Sequence, residues 1–150
     1  MRTKKTILLV DGDSRDRSSI RRELELQHYR VVEAADYWEA VDAHREHQGR
    51  IDLLLTALAL PGDNGYELAR TLFRSDPELK ALFVSGRTGA ELSPYYHMPF
   101  TGPHMLTKPL RGNELLDRVR EVLRARIPRL KKKKAASDAT REFVAKSESK

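Results

Sequence analysis

The run Ile51-Asp52-Leu53-Leu54-Leu55-Thr56-Ala57-Leu58-Ala59-Leu60, closed by Pro61-Gly62, constrains the fold more than any other segment. It is too short to span a membrane. It carries no polar face, so Asp52 to Ala57 reads as a strand covered on both sides. Such a strand needs helices above and below it. That requirement is met by a parallel sheet, whose neighbouring strands are joined by helical crossovers.

The rest of the chain supplies those crossovers. Lys5 to Val10 is a short aliphatic strand ending at Asp11-Gly12-Asp13. The Ser14 hydroxyl is placed to cap a helix that runs to about His28, with Ile20, Leu24 and Leu26 as its apolar stripe. Tyr29 to Glu33 is a second strand. Asp36 is placed to cap a second helix containing Trp38, Ala40, Val41 and Ala43. Asn64-Gly65-Tyr66-Glu67-Leu68 opens a third helix, which ends before Asp76-Pro77. Leu79 to Ser85 is a fourth strand.

After Gly86, Pro94, Pro99, Gly102 and Pro103 exclude a long helix. Thr88 to Phe100 is expected to be a short or distorted helix with a loop. His104 to Thr107 forms a fifth strand, followed by Lys108-Pro109. Arg111 to Arg126 is the last helix, with Leu115, Leu116, Val119, Val122 and Leu123 on one face, and Pro128 stops it.

Five strands separated by helices predict an α/β, doubly wound parallel sheet of order 2-1-3-4-5. Sites in such sheets lie beyond the carboxyl ends of the strands. Asp11, Ala57, Ser85 and Lys108 stand at four of those ends.

The formal charge of +6 is uneven. Residues 128–150 hold eight Lys or Arg against three Asp or Glu, which leaves +1 on residues 1–127. The chain therefore divides into a nearly neutral body, residues 1–127, and a basic tail, residues 128–150. The Lys131–Lys134 run suits a solvated, flexible segment better than a phosphate-binding one. The tail is too short for a helix-turn-helix or winged-helix unit. The absence of cysteine excludes disulfides and thiolate metal ligands. Only about five apolar residues follow Met1-Arg2-Thr3-Lys4-Lys5, too few for a secretory segment. A cytoplasmic protein is expected.

Four motifs follow one another at the strand ends: Val10-Asp11-Gly12-Asp13; Thr56-Ala57-Leu58-Ala59-Leu60-Pro61-Gly62 with Gly65-Tyr66-Glu67-Leu68; Val84-Ser85-Gly86; and Leu106-Thr107-Lys108-Pro109-Leu110. Each is weak alone. Together, on five β/α repeats, they resemble the CheY-like receiver domains of two-component response regulators over about residues 4–126. The resemblance implies a carboxylate at the end of the third strand that accepts a phosphoryl group. Such transfer is mostly positioning and charge stabilisation. Mg²⁺ is held by carboxylates, a backbone carbonyl and water. A lysine pairs with the acyl phosphate, and a hydroxyl that moves toward it biases a bistable loop.

Carried over position by position, Lys108 and Ser85 match. The phosphoacceptor position is Ala57, whose methyl has no oxygen to attack phosphorus. The acidic pair falls on Asp11 and Gly12, so the second carboxylate is missing. Asp13 suits a helix-start acid favoured by the macrodipole. The Ala59 carbonyl matches the metal-coordinating backbone group. Met105 takes the aromatic switch position, three residues before the lysine, and the usual rotamer coupling is not expected from it. Metal affinity follows ligand charge and number, so Mg²⁺ binding is expected to be weak or absent, and Asp11 is expected to pair with Lys108. Ala57 is either natural, making a pseudo-receiver, or an engineered phospho-null substitution. The undamaged Thr56 and Leu58 to Gly62 suit the second; Gly12 and Met105 suit the first.

The leading expectation is a non-enzymatic receiver protein in a phosphorelay, acting through protein–protein contact. The partners implied are a histidine kinase or phosphotransfer protein and a downstream effector. A homodimer through the face of the fourth helix, fifth strand and fifth helix is a further possibility within the family pattern. Tyr95-Tyr96-His97-Met98-Pro99-Phe100 is either core or part of such a surface. The alternative is a nucleic-acid-associated protein working through its basic tail, with salt-dependent binding; nucleic acid is the less expected partner. No Gly-rich phosphate loop supports a nucleotide or flavin enzyme on this topology. Trp38 is read as packing. His44, His47, His97 and His104 show no metal-ligand spacing and are read as surface or loop residues.

Overall fold

The computed structural model describes residues 4–86 and 105–125. In chain order the elements are β1 (Thr6–Val10), α1 (Ser14–Leu26), β2 (Arg30–Ala34), α2 (Tyr37–Glu46), β3 (Leu53–Ala57), α3 (Gly65–Ser75), β4 (Lys80–Ser85), β5 (Met105–Thr107) and α4 (Glu114–Arg124). The expectations for Thr88 to Phe100, for Tyr95 to Phe100, for His97 and His104, and for the basic tail lie outside the described residues.

The strands form one sheet in the order β2-β1-β3-β4-β5, every neighbour parallel, as the alternating pattern predicts. Its register sets Val10 against Thr56, Ala57 against Val84 and Ser85 against Thr107. The carboxyl ends of four strands therefore finish along one rim.

Period-two alternation divides the core between the two faces of the sheet. Ile7, Leu9, Leu53, Leu55, Leu82, Val84 and Leu106 pack with Ile20 and Leu24 of α1 and with Leu115, Val119 and Val122 of α4. Leu8, Val10, Leu54, Ala57, Ala81 and Phe83 pack with Tyr37 and Ala40 of α2 and with Tyr66, Ala69 and Leu72 of α3. Each large apolar side chain so buried stabilises the fold by about 1.5–3 kcal/mol.

Helix starts follow cap chemistry, with one correction. Asp36 accepts from the Glu39 N–H, and Asn64 from the Glu67 N–H, both at 2.8 Å. At α1 the cap is Asp13, not Ser14. The Asp13 carboxylate accepts from the N–H groups of Arg15 and Asp16 at 2.9 and 3.0 Å, and Ser14 is already helical.

Three side chains depart from expectation. Leu26 is exposed, because it lies two residues beyond Leu24 and so about 200° further round the helix. Trp38 is 64% exposed, with an edge-on ring contact to Tyr37 and its indole beside Gly62. His44 is buried rather than on the surface. It lies one turn after Ala40 on the inner side of α2, and its Nε2 meets the Asp76 carboxylate at 3.1 Å.

Candidate functional site

The site is a rim of loops fixed by backbone hydrogen bonds. Asp11 N–H donates to the Ala34 carbonyl, Leu58 N–H to Val84 and Lys108 N–H to Ser85, at 3.2, 2.9 and 3.1 Å. These bonds extend the sheet beyond its strands and hold Asp11, Ala57, Ser85 and Lys108 beside one another.

Asp11 is buried and both its carboxylate oxygens are used. Oδ1 accepts from the Asp13 N–H at 2.9 Å, and Oδ2 faces the Lys108 ammonium at 3.1 Å. The expected Asp11–Lys108 pair is therefore present. Lys108 has a second partner that the sequence pattern does not single out. Asp16, in the first turn of α1, accepts from Nζ at 2.6 Å. Burial works against the ammonium, but the Asp16 hydrogen bond and the Asp11 charge outweigh it. The Lys108 pKa stands above the ordinary lysine value. Asp13 faces its own helix, and the Asp16 N–H bond is the main cause holding its carboxyl below the usual range.

Arg17 is a second residue missed from sequence. Its Nη1 donates to the Asp11 carbonyl at 2.7 Å while Nε pairs with Glu33 at 3.0 Å. It thereby pins the loop after β1 to β2. The one available signal was position: Asp16 and Arg17 fall in the first turn of a helix starting at the acidic loop, where side chains reach back to that loop.

Ala57 ends β3 with its methyl at the edge of the core formed with α2 and α3. Ser85 is fully buried, its Oγ 3.4 Å from the Leu106 carbonyl and 3.3 Å from the Thr107 hydroxyl. Thr56 Oγ1 donates to the Ala57 carbonyl at 2.9 Å. Ala59 is exposed in the loop after β3, bridged to Asn64. Met105 is half-buried against the α2–α3 core, and its carbonyl accepts from Arg118 at 2.9 Å.

Gly12 lies under Pro61. A β-carbon at position 12 would stand 2.9 Å from Pro61 Cδ and 3.1 Å from Cγ, closer than a proline ring tolerates without shifting. Among the described residues, no three His, Cys, Asp or Glu side chains gather to hold a metal ion.

The profile described as "Response regulator receiver domain" matches residues 7–120. The chain belongs to this receiver family. It is 31% identical over 119 residues to the response regulator receiver protein CpdR of Brucella abortus, covering 79% of this chain and 97% of that one. It is 32% identical to the sensor kinase CckA of the same organism, over 79% of this chain but 12% of the kinase. It is 31% identical to the transcriptional regulatory protein CpxR of Escherichia coli K12, of which it spans 49%. The receiver domain of the hybrid histidine kinase CckA superposes with a TM-score of 0.66 at 31% identity, over 79% of this chain and 99% of that one. A chain of the CheX–CheY–BeF₃–Mg complex of Borrelia burgdorferi shares the fold, with a TM-score of 0.71 at 20% identity over 82% of this chain and 92% of that one. The receiver domains so matched belong to two-component signalling, and this chain shares their fold. Among the described residues no helix is long and apolar enough to cross a membrane.

Proposed function

We propose that this chain is a receiver protein of a two-component system that signals by protein–protein contact and is not phosphorylated at position 57. The carrying observation is the pairing of Lys108. Its ammonium is engaged by Asp11 and Asp16, and the residue at the carboxyl end of β3 is Ala57, whose side chain has no oxygen to attack phosphorus. A receiver that cannot form the acyl phosphate has its surface left as output. The partners that suit this reading are a histidine kinase or phosphotransfer protein and a downstream effector, in the cytoplasm. A homodimer would use β5 and α4, the described part of the face expected for it. No enzymatic activity is assigned.

The residues present do not suit Mg²⁺. Of the positions that the family pattern assigns to the metal, only Asp11 carries a carboxylate and Ala59 offers a backbone carbonyl; the second acidic position is Gly12, packed against Pro61, and Asp16 is engaged by Lys108. Hard divalent cations bind through several charged oxygens, so weak or absent binding follows. Gly12 and Met105 together favour a naturally divergent site over a single engineered change at position 57.

Intact mass measurement after incubation with acetyl phosphate and Mg²⁺ tests this reading. The unaltered chain is expected to gain no phosphoryl group. A stoichiometric phosphoryl adduct on it overturns the proposal. Ala57→Asp measured in parallel reports how much of the pocket still works.

A further inference from the structure

We infer that the Lys108 ammonium is the resident cation of this site, held by Asp11 and Asp16 in place of a divalent ion. The inference deepens the reading above and rests on its statement that Mg²⁺ binds weakly or not at all. Its carrying juxtaposition is one Nζ within hydrogen-bond distance of two carboxylates, 3.1 Å from Asp11 and 2.6 Å from Asp16.

An ammonium brings three donors and one positive charge. Two of those donors meet the two carboxylates in charge-assisted bonds, among the stronger hydrogen bonds a protein makes. Asp11 spends its other oxygen on the Asp13 N–H. Both Asp11 oxygens therefore already have a donor, and a metal would have to compete with the ammonium for Oδ2. An entering ion would have to displace a partly buried ammonium from the buried Asp11 carboxylate, and separating that pair carries a cost. The missing acid cannot simply be put back either, since a side chain at position 12 meets the Pro61 ring.

The consequence is structural. Asp11 follows β1, Asp16 lies on α1, and Lys108 follows β5, 97 and 92 residues away from them in sequence. One ammonium therefore joins the loop after β1, the start of α1 and the loop after β5. It holds them in one arrangement with no ligand bound. A surface built from these segments is presented continuously, not in response to a signal. Asp16 acts here as a positioning residue for Lys108.

Mn²⁺ titration of the full chain tests this, read from paramagnetic broadening of the amide signals of residues 11–16. Lys108→Met is expected to bind Mn²⁺ about tenfold tighter than the unaltered chain, because it frees two carboxylates. Adding Asp16→Asn to that variant is expected to remove most of the gain. Equal Mn²⁺ affinity in Lys108→Met and the unaltered chain overturns the inference. Should Lys108→Met fail to fold, the ammonium resonance of Lys108 decides. It is expected to be visible in the unaltered chain and lost in Asp16→Asn, and its absence from the unaltered chain overturns the inference. A phosphoryl adduct on the unaltered chain would defeat the functional reading without touching this result.

Discussion

Gly65 begins α3 so close to the end of β3 that a β-carbon there would overlap the Ala57 carbonyl oxygen, and its N–H donates to the Leu58 carbonyl at 2.7 Å. The obstacle is backbone on a central strand, which cannot swing aside. Gly65→Ala is therefore expected to destabilise the protein by about 1–3 kcal/mol, the usual range for overpacking. A urea unfolding midpoint close to that of the unaltered chain would contradict this close approach.

His44 and Asp76 tie the inner side of α2 to the end of α3. His44 is buried, so removing either partner strands a polar group. His44→Ala and Asp76→Ala are each expected to lose about 1–3 kcal/mol. The double variant should lose less than the sum, with a coupling of about 0.5–3 kcal/mol. Strict additivity in a double-mutant cycle would show that the two side chains do not act as a pair.

Two groups make stability fall in alkali. Lys108 is held above the ordinary lysine value through the balance of burial against its Asp16 and Asp11 partners, and burial pushes the Tyr66 hydroxyl up to about 12. Both shifts have one sign. The unfolded chain releases these protons at lower pH than the folded one, so it binds fewer protons there and stability drops as pH rises. The contributions are whole below about pH 10, where both unfolded groups are still protonated, and are lost above it. Denaturant midpoints across that range should show the decline, and Lys108→Met should make it shallower. An unchanged slope in that variant would remove Lys108 from the account.

Much of this fold was legible because its signals are local and repeated. The unbroken apolar β3 demanded cover on both faces, and the alternation of elements then fixed the strand order that the sheet adopts. Asp36 and Asn64 announced their helices by the chemistry of a cap. The pairing of Asp11 with Lys108 followed from the resemblance to receiver domains, once the carboxylates missing at Gly12 and Ala57 were counted. Asp16 was not legible in that way, since its role depends on how α1 leans toward the loop after β5. The cap at α1 slipped by one residue because Asp13 and Ser14 both carry suitable oxygens. His44 was misplaced because its partner, Asp76, is 32 residues away. A contact of that kind leaves no trace in the spacing around either residue.

Ala57 belongs to an apolar layer as well as to the rim. At most positions around a site, chemistry and packing are supplied by different atoms. Here one methyl answers to both, and a carboxylate in its place would carry charge to the edge of a dry layer, where poorly solvated ions are penalised. The same methyl that offers no nucleophile also spares the helices α2 and α3 a charged neighbour. The inertness toward phosphorus proposed above and the cohesion of that layer thus meet in a single carbon atom.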